Sequence, residues 1–150
     1  MADHVGDLTT LSNVTAAVAG SEDALGVYLP DQFRLTTTVL YSGEVDQRPA
    51  QTWFWSPAMW LDRQQGTSHA FTEGLAALGG TEVQYSGVPA DPAQAFGTLR
   101  SAVAGVLETG AMPTAGLGVD IDGAAYQFVP GTDLVRGIPV LDLAPVPASR

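Results

Sequence analysis

The sequence predicts a single α+β domain over residues 1–150, with a mainly antiparallel sheet packed with two or three helices. Three observations predict it. Asp91-Pro92-Ala93-Gln94 spells a helix start, and apolar residues follow it at helical spacing. Asp122-Gly123 spells a two-residue hairpin turn between alternating apolar residues. The remaining strand-like segments sit beside one another in the chain rather than alternating with helices, which favours local antiparallel pairing over a wound parallel sheet.

Each element has its own warrant. Leu8, Leu11, Val14 and Val18 recur at three- and four-residue spacing, predicting a helix over about 7–19 that Gly20 stops. Leu25 to Leu29 reads as a short strand closed by Pro30-Asp31. Phe33 to Ser42 alternates Phe33, Leu35, Thr37, Val39 and Tyr41 against Arg34, Thr36 and Thr38, predicting a strand. Turn formers over Gly43–Gln51 predict a loop, and Thr52 to Ser56 a second strand that pairs back on the first and ends at Pro57. Phe71, Leu75 and Leu78 predict a helix from Thr67 to Leu78, ended by Gly79-Gly80. Thr81 to Val88 alternates as a half-buried strand.

The Asp91 helix should run to Thr109, with Phe96, Leu99, Val103, Val106 and Leu107 inward and Gly110 as its stop. In a hairpin centred on Asp122-Gly123, Ile121 faces Ala124, Val119 faces Tyr126 and Leu117 faces Phe128, all six apolar. A strand over Ile138–Leu143 closes the fold before a Pro-rich end, Pro145 to Arg150, expected to fray.

Composition narrows function by exclusion. Sixteen carboxylates face six arginines and no lysine, for a formal net charge of −10. That sign repels nucleic acid and anionic membranes and attracts basic partners. Without lysine there is no Schiff base and no Walker-type phosphate lysine; without cysteine there is no thiol nucleophile, disulfide or cysteine-ligated metal. Charged residues make up only 15% of the chain, a sparse surface that raises the expectation of a homodimer or a permanent partner. The N-terminus carries no basic and apolar leader, and every apolar run is interrupted, so a cytoplasmic location is expected. Neither a cofactor nor a metal is called for: Asp120-Ile121-Asp122-Gly123 lacks the later ligands of a calcium loop and is better read as the hairpin.

Candidate sites centre on the three tryptophans, all within Trp53–Trp60. Trp53 and Phe54 fit core packing best. Met59 and Trp60, placed on a turn beyond Pro57 and next to Arg63, have the composition of an interface hot spot, with Trp55 beside them. Asp62, His69 and Glu73 form the one acid–base group, since His69 and Glu73 share a face of the predicted second helix. A solvated His–Glu pair is the simpler account of it.

Two classes of function follow. The first is an acidic cytoplasmic binding protein that docks a basic or neutral protein partner, most concretely an immunity or antitoxin-type inhibitor of a basic toxin. The alternative is a cofactor-free cyclase or epoxide hydrolase-like enzyme with an aromatic-lined pocket, using Asp62, His69 and Glu73 as acid and base. A self-assembling structural subunit is a further alternative.

Overall fold

The computed structural model describes residues 2–21, 23–29, 34–47, 56–62, 66–89 and 91–147. The chain falls into two compact units, Met1–Ser56 and Pro57–Arg150.

The first unit holds helix α1 (Ala2–Ala19), strands β1 (Val27–Leu29) and β2 (Arg34–Thr36), and helix α2 (Thr38–Gln47). β1 and β2 pair antiparallel, Val27 opposite Thr36 and Leu29 opposite Arg34. Among the described residues its core is Ala19, Val27 and Tyr41, with Ala16, Leu29 and Val45 packed around them. α1 therefore turns small residues inward, Ser12 and Ala19 being buried.

Two expectations fail in this unit. The strand predicted over Phe33–Ser42 shortens to β2, and the chain turns helical at Thr38. Thr37 explains the switch: its hydroxyl accepts from Leu40 N at 3.4 Å, and its carbonyl from Tyr41 N at 3.0 Å. A threonine run that alternates like a strand here supplies a helix cap instead. The loop predicted from Gly43 is accordingly helix as far as Gln47, where Tyr41 and Val45 fall one turn apart. β2 pairs with β1, and the partner strand expected for it at Thr52–Ser56 lies, up to Trp55, outside the described residues.

The second unit is built on a six-stranded sheet in the order β3-β4-β5-β8-β7-β6. Its strands are β3 (Ser56–Asp62), β4 (Thr67–Glu73), β5 (Val83–Pro89), β6 (Gly118–Ile121), β7 (Ala124–Thr132) and β8 (Pro139–Pro145). β4–β5, β6–β7 and β7–β8 are antiparallel, while β5–β8 is parallel. The parallel pair arises because the chain leaves β5 through helix α3 (Pro92–Glu108), lands on the far edge at β6, and steps back inward. The α+β class and the mainly antiparallel sheet are those the sequence predicts.

α3 packs across β4, β5 and β6 and buries Ala95, Leu99, Ala102, Val103, Val106 and Leu107. Beneath it lie Ala70, Val83 and Phe128, all fully buried. Asp91 caps the helix as expected: its Oδ1 accepts from Ala93 N at 3.1 Å and Gln94 N at 3.2 Å. The hairpin register is also the expected one, Ile121 opposite Ala124 and Val119 opposite Tyr126, with Phe128 N donating to Leu117 O at 2.9 Å. Asp122 (φ 53°) and Gly123 (φ 81°) both take the left-handed conformation that a type I′ turn requires. β8 runs to Pro145, and Val146 N still donates to Ala125 O at 2.8 Å.

The helix expected over Thr67–Leu78 is a correction. Thr67–Glu73 is strand β4, followed by one 3₁₀ turn, Leu75–Leu78. Phe71, Leu75 and Leu78 do match a helical period, but the buried face belongs to the small residues Ser68, Ala70 and Thr72, which alternate at period two. Gly74, at φ 113°, breaks the chain direction, and Glu82 fixes the turn that follows. Its carboxylate accepts from Gly74 N (3.0 Å), Ala76 N (3.1 Å) and Thr72 Oγ1 (2.6 Å).

Pro57 is a second correction in this unit. It lies inside β3 rather than ending a strand, which an edge position allows because a missing N–H there breaks no ladder. Met59 and Trp60 therefore sit on an edge strand, not on a turn.

Candidate functional site

β4 presents Thr67, His69, Phe71 and Glu73 on the face opposite its small buried residues. His69 and Glu73 still share a face, but as strand neighbours four residues apart they stand about 13 Å from each other instead of one helical turn. Phe71 lies between them. Each then has its own surroundings.

Glu73 belongs to Arg136, in the loop that joins β7 to β8. Arg136 NH1 lies 3.3 Å from Glu73 Oε1, its NH2 donates to Thr72 O at 3.3 Å, and the guanidinium sits 5.0 Å from the centre of the Phe71 ring. Asp133 anchors the same guanidinium through Nε at 2.8 Å and NH2 at 2.5 Å, and also accepts from Val135 N and Arg136 N. Burial works against the charged form of Asp133, but these donors outweigh it and hold its carboxyl below the ordinary value. Gln84 completes the network: its amide donates to Thr132 O and Asp142 Oδ1 and accepts from Leu134 N. The loop is thereby fastened to the sheet with Leu134 and Val135 left outside.

His69 is only 7% exposed, with Thr67 Oγ1 3.4 Å from its Nε2. It faces an irregularity in the ladder. Ser68 pairs with Val88 but Ala70 with Tyr85, so Ser86 and Gly87 together oppose His69, as in a β-bulge. The hydroxyls of Ser68 and Ser86 are buried and make no hydrogen bond among the described residues.

The other sequence-derived candidates divide as follows. Met59, Trp60 and Asp62 have their backbone in β3, and their side chains lie outside the description, as do Trp53, Trp55 and Arg63 entirely. No group of three His, Asp or Glu side chains that could hold a metal ion occurs among the described residues. Asp120 of the calcium-like fragment spends its Oδ1 on Gly123 N at 2.9 Å, inside the hairpin turn.

A surface that the sequence reading overlooked lies in the first unit. Leu11, Val14 and Val18 of α1 are 59%, 56% and 66% exposed. Leu25, Tyr28, Leu35, Val39 and Leu40 are exposed as well. The stripe whose spacing marks the helix in the sequence is thus its outer one, while Ser12, Ala16 and Ala19 face the core. The signal was present: small residues recur along α1 at the same three- and four-residue spacing, offset from the large ones. Among the described residues of this unit, large aliphatic side chains are more often exposed than buried. Among the described residues, no helix is long and apolar enough to cross a membrane. No family model, curated protein or solved structure matches this chain.

Proposed function

We propose that this chain is an acidic binding protein that docks a basic protein partner, most concretely as an immunity or antitoxin-type inhibitor of a cationic toxin in the cytoplasm. The observation that carries the reading is the exposed stripe Leu11, Val14 and Val18 on α1. Magnitudes say what else binding needs. Full burial of the three side chains contributes roughly 1.5–3 kcal/mol each. Association itself costs roughly 4–15 kcal/mol, so the stripe alone gives weak binding. Charge supplies the rest: sixteen carboxylates against six arginines steer a cationic partner onto the surface and select against anionic ones.

The test is affinity capture from the native host with the wild type and Leu11→Asp, at low and high salt, followed by assay of the purified partner. A basic protein retained by the wild type, released by salt, lost with Leu11→Asp and inhibited on mixing supports the reading. Capture of nothing but the chain itself overturns it. Trp60→Ala in the same assay assigns the share of the Trp55, Met59, Trp60 and Arg63 segment.

A further inference from the structure

We infer that Asp122 is a site of covalent modification, where the main chain isomerises to isoaspartate, and that Asp120 is the residue that restrains it. The inference is independent of the binding reading. Asp122-Gly123 is the one place in the chain where an aspartate or asparagine precedes glycine. Every other aspartate, and Asn13, precedes a residue with a side chain. Glycine matters because ring closure brings the next residue's nitrogen onto the aspartyl carboxyl, and a Cβ on that residue hinders the approach. Both residues are exposed at the tip of the β6–β7 hairpin, and no described atom lies within 4 Å of where a Cβ on Gly123 would stand.

The step needs no cofactor or oxidant. Gly123 N attacks Asp122 Cγ, a C–N bond forms, and the amide proton and the carboxyl hydroxyl leave together as water. The product is a five-membered succinimide, which water then opens at either carbonyl. Cleavage at Cγ restores aspartate. Cleavage at the main-chain carbonyl routes the backbone through the side chain, with the same composition and one more methylene in the main chain. A two-residue turn cannot absorb that methylene and keep Ile121 opposite Ala124, the pair that flanks it. Isomerisation therefore loosens β6, which packs against α3.

Asp120 stands in the way of the first step. Its Oδ1 accepts from Gly123 N at 2.9 Å and so engages the proton that must leave. A carboxylate at that distance also disfavours negative charge on the same nitrogen, the form in which it attacks. The left-handed pair, Asp122 at φ 53° and Gly123 at φ 81°, fixes the direction of that nitrogen, which reaches Cγ only when turn and hydrogen bond open together.

Storage of the full-length chain at neutral pH and physiological temperature tests this. Aliquots are cleaved after arginine, and the peptide from Ser101 to Arg136 is sequenced by electron-transfer fragmentation, which separates isoaspartate from aspartate. Methyl transfer from S-adenosylmethionine by an isoaspartate-specific carboxyl methyltransferase counts the same product independently. Isoaspartate is expected at position 122 ahead of every other aspartate, and not in Asp122→Glu, whose ring would be one atom larger. Asp120→Ala should form it about tenfold faster, the effect of losing one charge-assisted hydrogen bond. Asp120→Asn keeps an acceptor without the charge and should fall between. Hydrogen exchange of the β6–β7 amides is followed alongside.

Four results overturn the inference: isoaspartate arises first at another aspartate; none forms at position 122 even in Asp120→Ala; the wild type and Asp120→Ala form it at equal rates; or Asp120→Ala accelerates only as far as the β6–β7 amides lose protection. The last would place the restraint in hairpin closure and not in the contact to Gly123 N.

Discussion

Gly131 and Asp133, two residues apart at the end of β7, hold one segment by opposite means. A Cβ at Gly131 would overlap the carboxylate of Asp142, so absence of a side chain lets β7 and β8 close with Asp142 bonded to Gln84. Gly131→Ala must push Asp142 aside and should cost about 1–3 kcal/mol by chemical denaturation. Asp133 works through charge. Its carboxyl, held below the ordinary 3.8 by its donors, is ionised in the fold at pH values where the unfolded chain binds a proton. The stability it contributes is complete above that ordinary value and is lost as pH falls through the lower folded one. Asp133→Asn should therefore cost about 1–3 kcal/mol at neutral pH and flatten the acid limb of the stability profile.

At the level of elements, α3 and the β5–β7 region make sharper predictions than the rest. Gly105 lies in the interior of α3, exposed, with nothing near the position a Cβ would take. Gly105→Ala should stabilise the protein by about 0.5–1 kcal/mol in the same denaturation assay that shows Gly131→Ala to be harmful. Two glycine substitutions of opposite sign separate backbone entropy from steric fit. Tyr85 of β5 and Tyr126 of β7 meet edge to face at 5.9 Å, reaching across β8. Burial, then the hydrogen bond and charge interaction with Tyr126, push the Tyr85 hydroxyl up to about 12. Alkaline titration by tyrosinate absorbance should find one group near that value, and Tyr126→Phe should move it back toward 10.0.

For the molecule as a whole, stability and binding are expected to separate. Leu11 and Val18 are exposed, so changing both to Gln should leave the melting temperature nearly unmoved, by about 2 °C or less, while partner capture falls. Leu99, fully buried in α3, is the contrast: Leu99→Ala should cost about 2–5 kcal/mol. A chain in which the outer stripe proved as costly to change as Leu99 would have its stripe in a core, and the binding reading would lose its basis.

What the sequence determined by itself was local chemistry. The Asp91 cap and the Asp122-Gly123 turn are decided within a few residues, so their helix and hairpin were legible to the register. The α+β class followed from how those signals are ordered along the chain. Tertiary structure decided the rest wherever one pattern admitted two uses. Thr36-Thr37-Thr38 alternates like a strand yet caps a helix; Ser68, Ala70 and Thr72 were overlooked beside Phe71 and Leu75, yet they form the face on which α3 packs. The candidate site changed for the same reason, because four residues span one turn of a helix but about 13 Å of strand, parting His69 from Glu73. The stripe of α1 is the clearest case. Periodicity establishes that a helix has an apolar side, but which side faces the core depends on how closely its neighbours must approach. Here the small residues Ser12, Ala16 and Ala19 went inward, and Leu11, Val14 and Val18 stayed exposed.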